Sequence, residues 1–309
     1  MSAPEKFSGV LTPVITPFTA DLTPDAERLI RQCKWMLLHN VGLAVFGTNS
    51  EANSLSTDEK IELMDRLVEG GIDPARMMPG TGCCALSDSV KLTGHAVKLG
   101  CGGTLMLPPF YYKGVSDDGL YANFSEIIQK VGDANLRIYL YHIPPISNVP
   151  LSLGLIERLI KEYPDTVVGV KDSGGVMENT LAMLKAGWDD FRVFAGAETF
   201  LLENMRNGGA GCISATANVN PAAIHNLYAN WQSDDADALQ AGLDTVRDIF
   251  QNFPMIPALK AAAAIYGDDA DWCRVRPPLV ALDEAQMAGL TQALHGIDFA
   301  MPGLKEAAE

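Results

Sequence analysis

Eight short apolar runs, each followed by a stretch of helical periodicity, constrain this chain more than any other feature. They are VLTPVI (10–15), GLAVFG (42–47), RMMPG (76–80), GTLMLP (103–108), RIYLYH (137–142), VVGVK (167–171), FRVFAG (191–196) and GCISAT (211–216). Runs apolar on both faces belong in a buried parallel sheet, and parallel neighbours need a crossover, usually a helix, to connect them. The intervening segments supply it. In 24–39, Leu29, Ile30, Cys33, Met36 and Leu37 recur at helical steps, with Thr23-Pro24 expected as cap and first helical residue. Ser56-Thr57-Asp58-Glu59 has the form of a capping box, and Gly70-Gly71 closes the helix it opens. Similar helices are expected at 87–99, 117–131, 152–163, 175–187 and 198–207.

Strand–helix repeats with right-handed crossovers predict a closed (β/α)8 TIM barrel over residues 1–220. An open doubly wound sheet is the second choice, because the glycine fingerprint it usually carries after the first strand is missing. Residues 221–252, 255–266 and 284–295 read as helices beyond the barrel's needs, so 221–309 is predicted to be a C-terminal helical extension packed on it.

Charge and apolar content narrow the partners. A net charge of −15 repels phosphate backbones and anionic lipids, so neither nucleic acid nor a membrane is an expected partner. No apolar run reaches the length of a membrane span. The opening MSAPEKFSGVLTPVITPF lacks the parts of a secretion signal and is read as an uncleaved cytoplasmic N-terminus. Six cysteines at no metal-like spacing are then expected to be free thiols.

In barrel enzymes the working residues gather at the carboxyl ends of the strands. Those ends supply Thr48 and Asn49, Phe110-Tyr111-Tyr112, Tyr141-His142, Lys171-Asp172-Ser173 and Gly196-Ala197-Glu198. No cluster of histidines and carboxylates suited to a metal is among them, and no phosphate loop or nucleophile elbow occurs. Lys171 ends an apolar strand, where alternation puts it on the face of Val167 and Gly169. Lysine is seldom buried without a partner or a task, and a desolvated amine gains a nucleophilic neutral fraction. On position alone, a surface lysine paired with Asp172 is an equal alternative. Tyr141, ending the neighbouring strand, can exchange protons with an imine on Lys171, or be a core tyrosine with a satisfied hydroxyl. The turn Phe46–Glu51 offers backbone N–H groups and hydroxyls to a carboxylate.

Together these pieces resemble the dihydrodipicolinate synthase / N-acetylneuraminate lyase family of class I, pyruvate-dependent aldolases. The likeness is carried by Gly47-Thr48-Asn49-Ser50-Glu51, Pro109-Phe110-Tyr111, Tyr141-His142-Ile143-Pro144, Gly169-Val170-Lys171-Asp172-Ser173 and Gly211-Cys212-Ile213-Ser214, in order along the chain. The resemblance implies an imine between Lys171 and pyruvate or another 2-oxo acid, with no metal and no separate cofactor. It implies that Tyr141 shuttles protons, and that Thr48 links it to Tyr111 reaching in from a neighbouring subunit. Substrate would be bound by Thr48, Asn49, Ser173, Gly196, Glu198 and Ile213, and the protein would be a cytoplasmic homotetramer, a dimer of dimers.

Two departures bear on the substrate. The family's hydroxyl-glycine pair is Asn49-Ser50 here, and Ile146 stands where dihydrodipicolinate synthases place an arginine. Without that cation a semialdehyde carboxylate loses a charge-assisted partner. Lys171-Asp172-Ser173 looks closer to the 2-keto-3-deoxy sugar acid aldolases. The reading is therefore a lyase joining or cleaving pyruvate and an aldehyde, with 2-keto-3-deoxy sugar acids as substrates. Alternatives are a 4-hydroxy-tetrahydrodipicolinate synthase, a dehydratase or deaminase of the family, a hydratase-aldolase, and a non-enzymatic ligand-binding member.

Overall fold

The computed structural model describes residues 5–305, so the first four residues of the N-terminal segment read above lie outside it. Seven parallel strands appear among the described residues: β1 (Gly9–Thr12), β2 (Gly42–Leu43), β3 (Thr104–Met106), β4 (Ile138–His142), β5 (Val167–Asp172), β6 (Arg192–Ala195) and β7 (Gly211–Ile213). β1 pairs with β2, and the others run in the order β7-β6-β5-β4-β3.

The run at 76–80 forms no regular strand, only bridges at Met77 and Gly80. Gly80 makes one isolated parallel bridge to Leu105, while the Leu105 N–H donates to the Pro79 carbonyl at 2.9 Å. Pro79 has no N–H to return, so the ladder cannot lengthen there.

The chain divides into two compact units. The first comprises the residues up to Gly9 together with Asp73–Ile213, and the second Val10–Ile72 together with the chain from Ser214 onward. In the first unit, β4 and β5 lie at the centre of the β3–β7 ladder. Leu140 and Val170 pack with Phe124, Ile127, Leu155 and Leu159 from the helices Asp117–Val131 and Leu153–Glu162. Val167 joins this helix-side cluster, contrary to simple alternation. The pairing skips a residue, since Ile138 faces Val167 and Tyr139 faces Gly169. The phase of β5 therefore changes at Val168 and puts Val167 and Lys171 on opposite faces.

The second unit holds the helices Ala26–Leu38, Thr57–Glu69, Pro221–Ala229, Ala236–Gln251, Met255–Gly267 and Glu284–His295. The first of these is capped by Asp25, whose carboxylate accepts from Arg28 N–H at 3.0 Å. Thr23 is not the cap, because Pro24 is held two residues upstream in a bridge with Phe18. The capping box at Ser56 and Glu59 forms as read, with reciprocal bonds of 2.8 and 3.1 Å. The span 221–252, expected as one helix, is two. The second begins at Ala236 after the turn at Asn230–Ser233, where polar side chains end the apolar stripe.

Candidate active site

Register decides what the first unit brings together. In the β4–β5 ladder Tyr141 lies opposite Lys171 and His142 opposite Asp172. The Lys171 ammonium nitrogen and the Tyr141 hydroxyl are 3.2 Å apart, with both residues 2% exposed. The nitrogen also lies 4.3 Å from the centre of that ring, within cation–π range.

One alternative left open by the sequence closes on the same ladder, since Lys171 is buried and is no surface lysine. Asp172 does not pair with Lys171. Side chains alternate across a strand, and its carboxylate instead accepts from Gly174 N–H at 2.9 Å and the Thr180 hydroxyl at 2.6 Å. It also lies 4.0 Å from His142 Nε2. His142 Nδ1 accepts from Leu151 N–H at 3.0 Å. Burial pushes this imidazole's pKa down, against the opposing pull of Asp172. Tyr139, two residues before Tyr141, is also a core tyrosine. Its hydroxyl accepts from Phe7 N–H at 2.7 Å, and burial pushes its phenol up to about 12. Gly169 makes room for it, because a Cβ there would run into the Tyr139 ring.

The remaining candidates of this unit cluster at the ends of β5, β6 and β7. A Cβ on Gly196 would overlap the Ser173 hydroxyl and the Asp172 carbonyl, so glycine lets β6 end close against β5. Glu198 is buried at the start of a short turn, and Ile213 is fully buried. The Cys212 thiol is held far above its usual range by burial, with Glu198 raising it further and Lys171 opposing. The Glu198 carboxylate and the Lys171 amine therefore act on one neighbourhood. Tyr111 lies elsewhere, 75% exposed, stacked edge to face on Tyr112 with ring centres 5.4 Å apart.

In the second unit Thr48, Asn49 and Ser50 form a single helical turn after Gly47, with Thr48 and Asn49 half-buried. Ser50 holds the turn from inside. Its hydroxyl accepts from Gly47 N–H at 3.1 Å and its carbonyl from the Thr16 hydroxyl at 2.7 Å.

Sequence reading missed the next shell of this turn. Glu51 is ion-paired with Lys260, and both side chains are completely buried. The signal was available: Lys260 is the one charged residue in Met255–Gly267, a helix otherwise apolar nearly all round. All six cysteines are free, and among the described residues no group of three or more histidines, cysteines or carboxylates could hold a metal ion. No helix among them is long and apolar enough to cross a membrane.

The model of the dihydrodipicolinate synthetase family matches residues 6–297. The chain belongs to that family. It is 32% identical to an uncharacterized DapA-like lyase of Chloroflexus aurantiacus, over 94% of this chain and 96% of that one. It is 31% identical to the 4-hydroxy-tetrahydrodipicolinate synthase of Acidiphilium cryptum, over 94% and 98%. The crystal structure of dihydrodipicolinate synthase from Agrobacterium tumefaciens superposes with a TM-score of 0.86 at 31% identity, covering 94% of this chain and 99% of that one. The family member is accordingly a pyruvate-dependent lyase of the aldolase type, working through a lysine Schiff base with no separate cofactor.

Proposed function

We propose that Lys171 is the imine-forming lysine and that Tyr141 moves its protons. The observation that carries this reading is the 3.2 Å approach of a buried amine to a buried phenol at the carboxyl ends of adjacent strands. The lone pair of Lys171 attacks the ketone carbon of pyruvate. Tyr141 passes a proton to the carbinolamine oxygen, and water leaves. The protonated imine draws electrons from C3, the C3 proton passes to the Tyr141 phenolate, the enamine adds to an aldehyde whose oxygen takes that proton from Tyr141, and water hydrolyses the product imine. Cleavage of a 2-oxo-4-hydroxy acid is the same path reversed.

The family pattern supports assigning Thr48 as the relay from Tyr141 to Tyr111 of a neighbouring subunit, in a cytoplasmic homotetramer. A tyrosine ring this exposed is available to a second copy. The same pattern gives the substrate carboxylate to Thr48 and Asn49, and supports closure as a (β/α)8 barrel over 1–220 with 221–309 as its helical extension.

For the aldehyde half we favour polyhydroxylated chains, giving 2-keto-3-deoxy sugar acids. Ser173 and Glu198 at the ends of β5 and β6 suit hydroxyl recognition, and Ile146 offers no cation to a second carboxylate. The A. cryptum relative's name keeps condensation with aspartate semialdehyde as the second reading. Pyruvate release from a panel of 2-keto-3-deoxy acids, run beside condensation with the semialdehyde, separates them. Faster turnover of the semialdehyde would reverse the preference, and a carbon-conserving product would indicate elimination.

A further inference from the structure

The second unit contains a charged assembly that takes no part in the chemistry proposed above. Glu51 sits at the junction of two short turns, Thr48–Ser50 and Ala52–Ser54, with φ 55° and ψ 33°. That left-handed backbone is unfavourable for a residue with a side chain, so something must hold it there. Three groups do. Lys260 pairs with one carboxylate oxygen, and the backbone N–H of Arg276 donates to the other at 2.9 Å. The Glu51 N–H donates to the Thr48 carbonyl at 3.2 Å.

Each partner is itself fixed. Lys260 donates to the Arg274 carbonyl at 2.6 Å. The Arg276 guanidinium bonds to the carbonyls of Leu22 and Ser54 at 2.7 Å each and to Glu59 at 3.0 Å. The Phe18 ring receives both cations, Lys260 at 4.4 Å and Arg276 at 4.8 Å from its centre. A buried ion pair is a poor device for stability alone, because apolar residues of the same volume commonly do as well or better. It is a good device for holding one backbone conformation against its alternatives.

We propose that Glu51, Lys260 and Arg276 are positioning residues that lock the Thr48–Asn49 turn in the shape that receives the substrate carboxylate. They touch no substrate and act through the turn, with Ser50 bracing it from the inside and Glu51 anchoring its exit. The proposal rests on the assignment of Thr48 and Asn49 to carboxylate binding. The turn is tied down by Ser50's own hydroxyl and by the buried pair.

The test uses Glu51→Gln, Lys260→Met and the double variant, which removes both buried charges together. Tm, kcat, KM for pyruvate and borohydride trapping of pyruvate on Lys171 are measured for each. The double variant is expected to fold with near wild-type Tm, yet to keep a KM for pyruvate raised about tenfold, because misplacement of a binding group by a fraction of an ångström has that scale of effect. Its kcat at saturating pyruvate should stay within about threefold of wild type, since only binding is perturbed uniformly. A KM that returns to wild type with the Tm would mean a purely structural pair and would overturn the proposal. Should Lys260→Met not fold, Glu51→Gln carries the same test, because glutamine keeps the side chain's shape and its acceptor for Arg276 N–H. Failure of wild-type Lys171 to trap pyruvate sinks the assignment of the site itself. Trapping in wild type with an unmoved KM in the double variant sinks only the positioning role.

Discussion

Of three buried lysines, Lys171 and Lys260 are the most deeply enclosed, one in each compact unit, and the sequence places them in opposite company. Lys171 ends a strand, 2% exposed, with its nitrogen on the hydroxyl of Tyr141. Lys260 lies in a helix, wholly buried, with a carboxylate, a carbonyl and an aromatic face around its nitrogen. A neutral phenol sets no permanent countercharge beside the amine and can give and take a proton, so an amine next to it is suited to forming and breaking covalent bonds. A carboxylate keeps the ammonium charged and in place. Burial pushes the Lys260 pKa down to about 8, with Glu51 opposing that shift, so the pair holds near neutrality and loosens in base. Burial alone does not make a lysine reactive. The partner decides.

Substitution should separate the two most sharply at the lysines themselves. Lys171→Met is expected to lower kcat/KM by more than about a thousandfold, as loss of a covalent nucleophile does, while Lys260→Met leaves imine formation at saturating pyruvate in place. Steady-state rates of cleavage check both, and comparable loss from the two would erase the distinction. Next in size is Tyr141→Phe, which keeps the ring over Lys171 and removes the proton carrier. A fall in kcat of about a hundredfold or more is expected, the scale of general acid–base catalysis. An active phenylalanine variant would give the phenol a packing role.

Smaller effects sharpen the Lys260 side. The groups facing that amine are Glu51, Arg276 and Cys273, the last also partly buried. As pH rises through about 8, Lys260 loses its proton and its attraction for Glu51. The ratio of wild-type KM for pyruvate to that of the Glu51→Gln, Lys260→Met double variant should therefore rise from pH 7 to pH 9, by a few-fold. Taking the ratio cancels every pH response that the two proteins share. A flat ratio would remove the turn from Lys260's control.

The smallest effect is on stability in acid. Hydrogen bonding to Arg276 is the main influence holding the Glu59 carboxyl down at about 2, against burial. Its folded pKa lies below its unfolded value, so its contribution is complete above about pH 4.5 and drains away as pH falls towards 2. Glu59→Gln should lower Tm by a few degrees at pH 6 and by less at pH 3. An equal loss at both values would show that the carboxylate's charge is not what matters.

Much of this was legible in the sequence, because the runs that build β4 to β7 carry both the pattern of a buried strand and the residues at its end. Lys171, Tyr141, Ser173 and Glu198 fall at strand termini, and a strand's end is readable from where its apolar run stops. The run at 76–80 pairs only through single bridges, because Pro79, set against Leu105, has no N–H with which to extend the ladder. Val167 was put on the wrong face because the irregularity that shifts β5 depends on pairing with β4, which no single strand reveals. The pair of Glu51 and Lys260 joins residues 209 positions apart, and only the fold brings such charges together. The lysine in its apolar helix was nevertheless a visible anomaly.

The central claim is best tested by incubating the protein with pyruvate and sodium borohydride and locating the added mass by peptide mass spectrometry. Reduction should fix a pyruvyl-derived group on the peptide containing Lys171 and leave that containing Lys260 unmodified. A label on Lys260, or none on Lys171, would contradict the account.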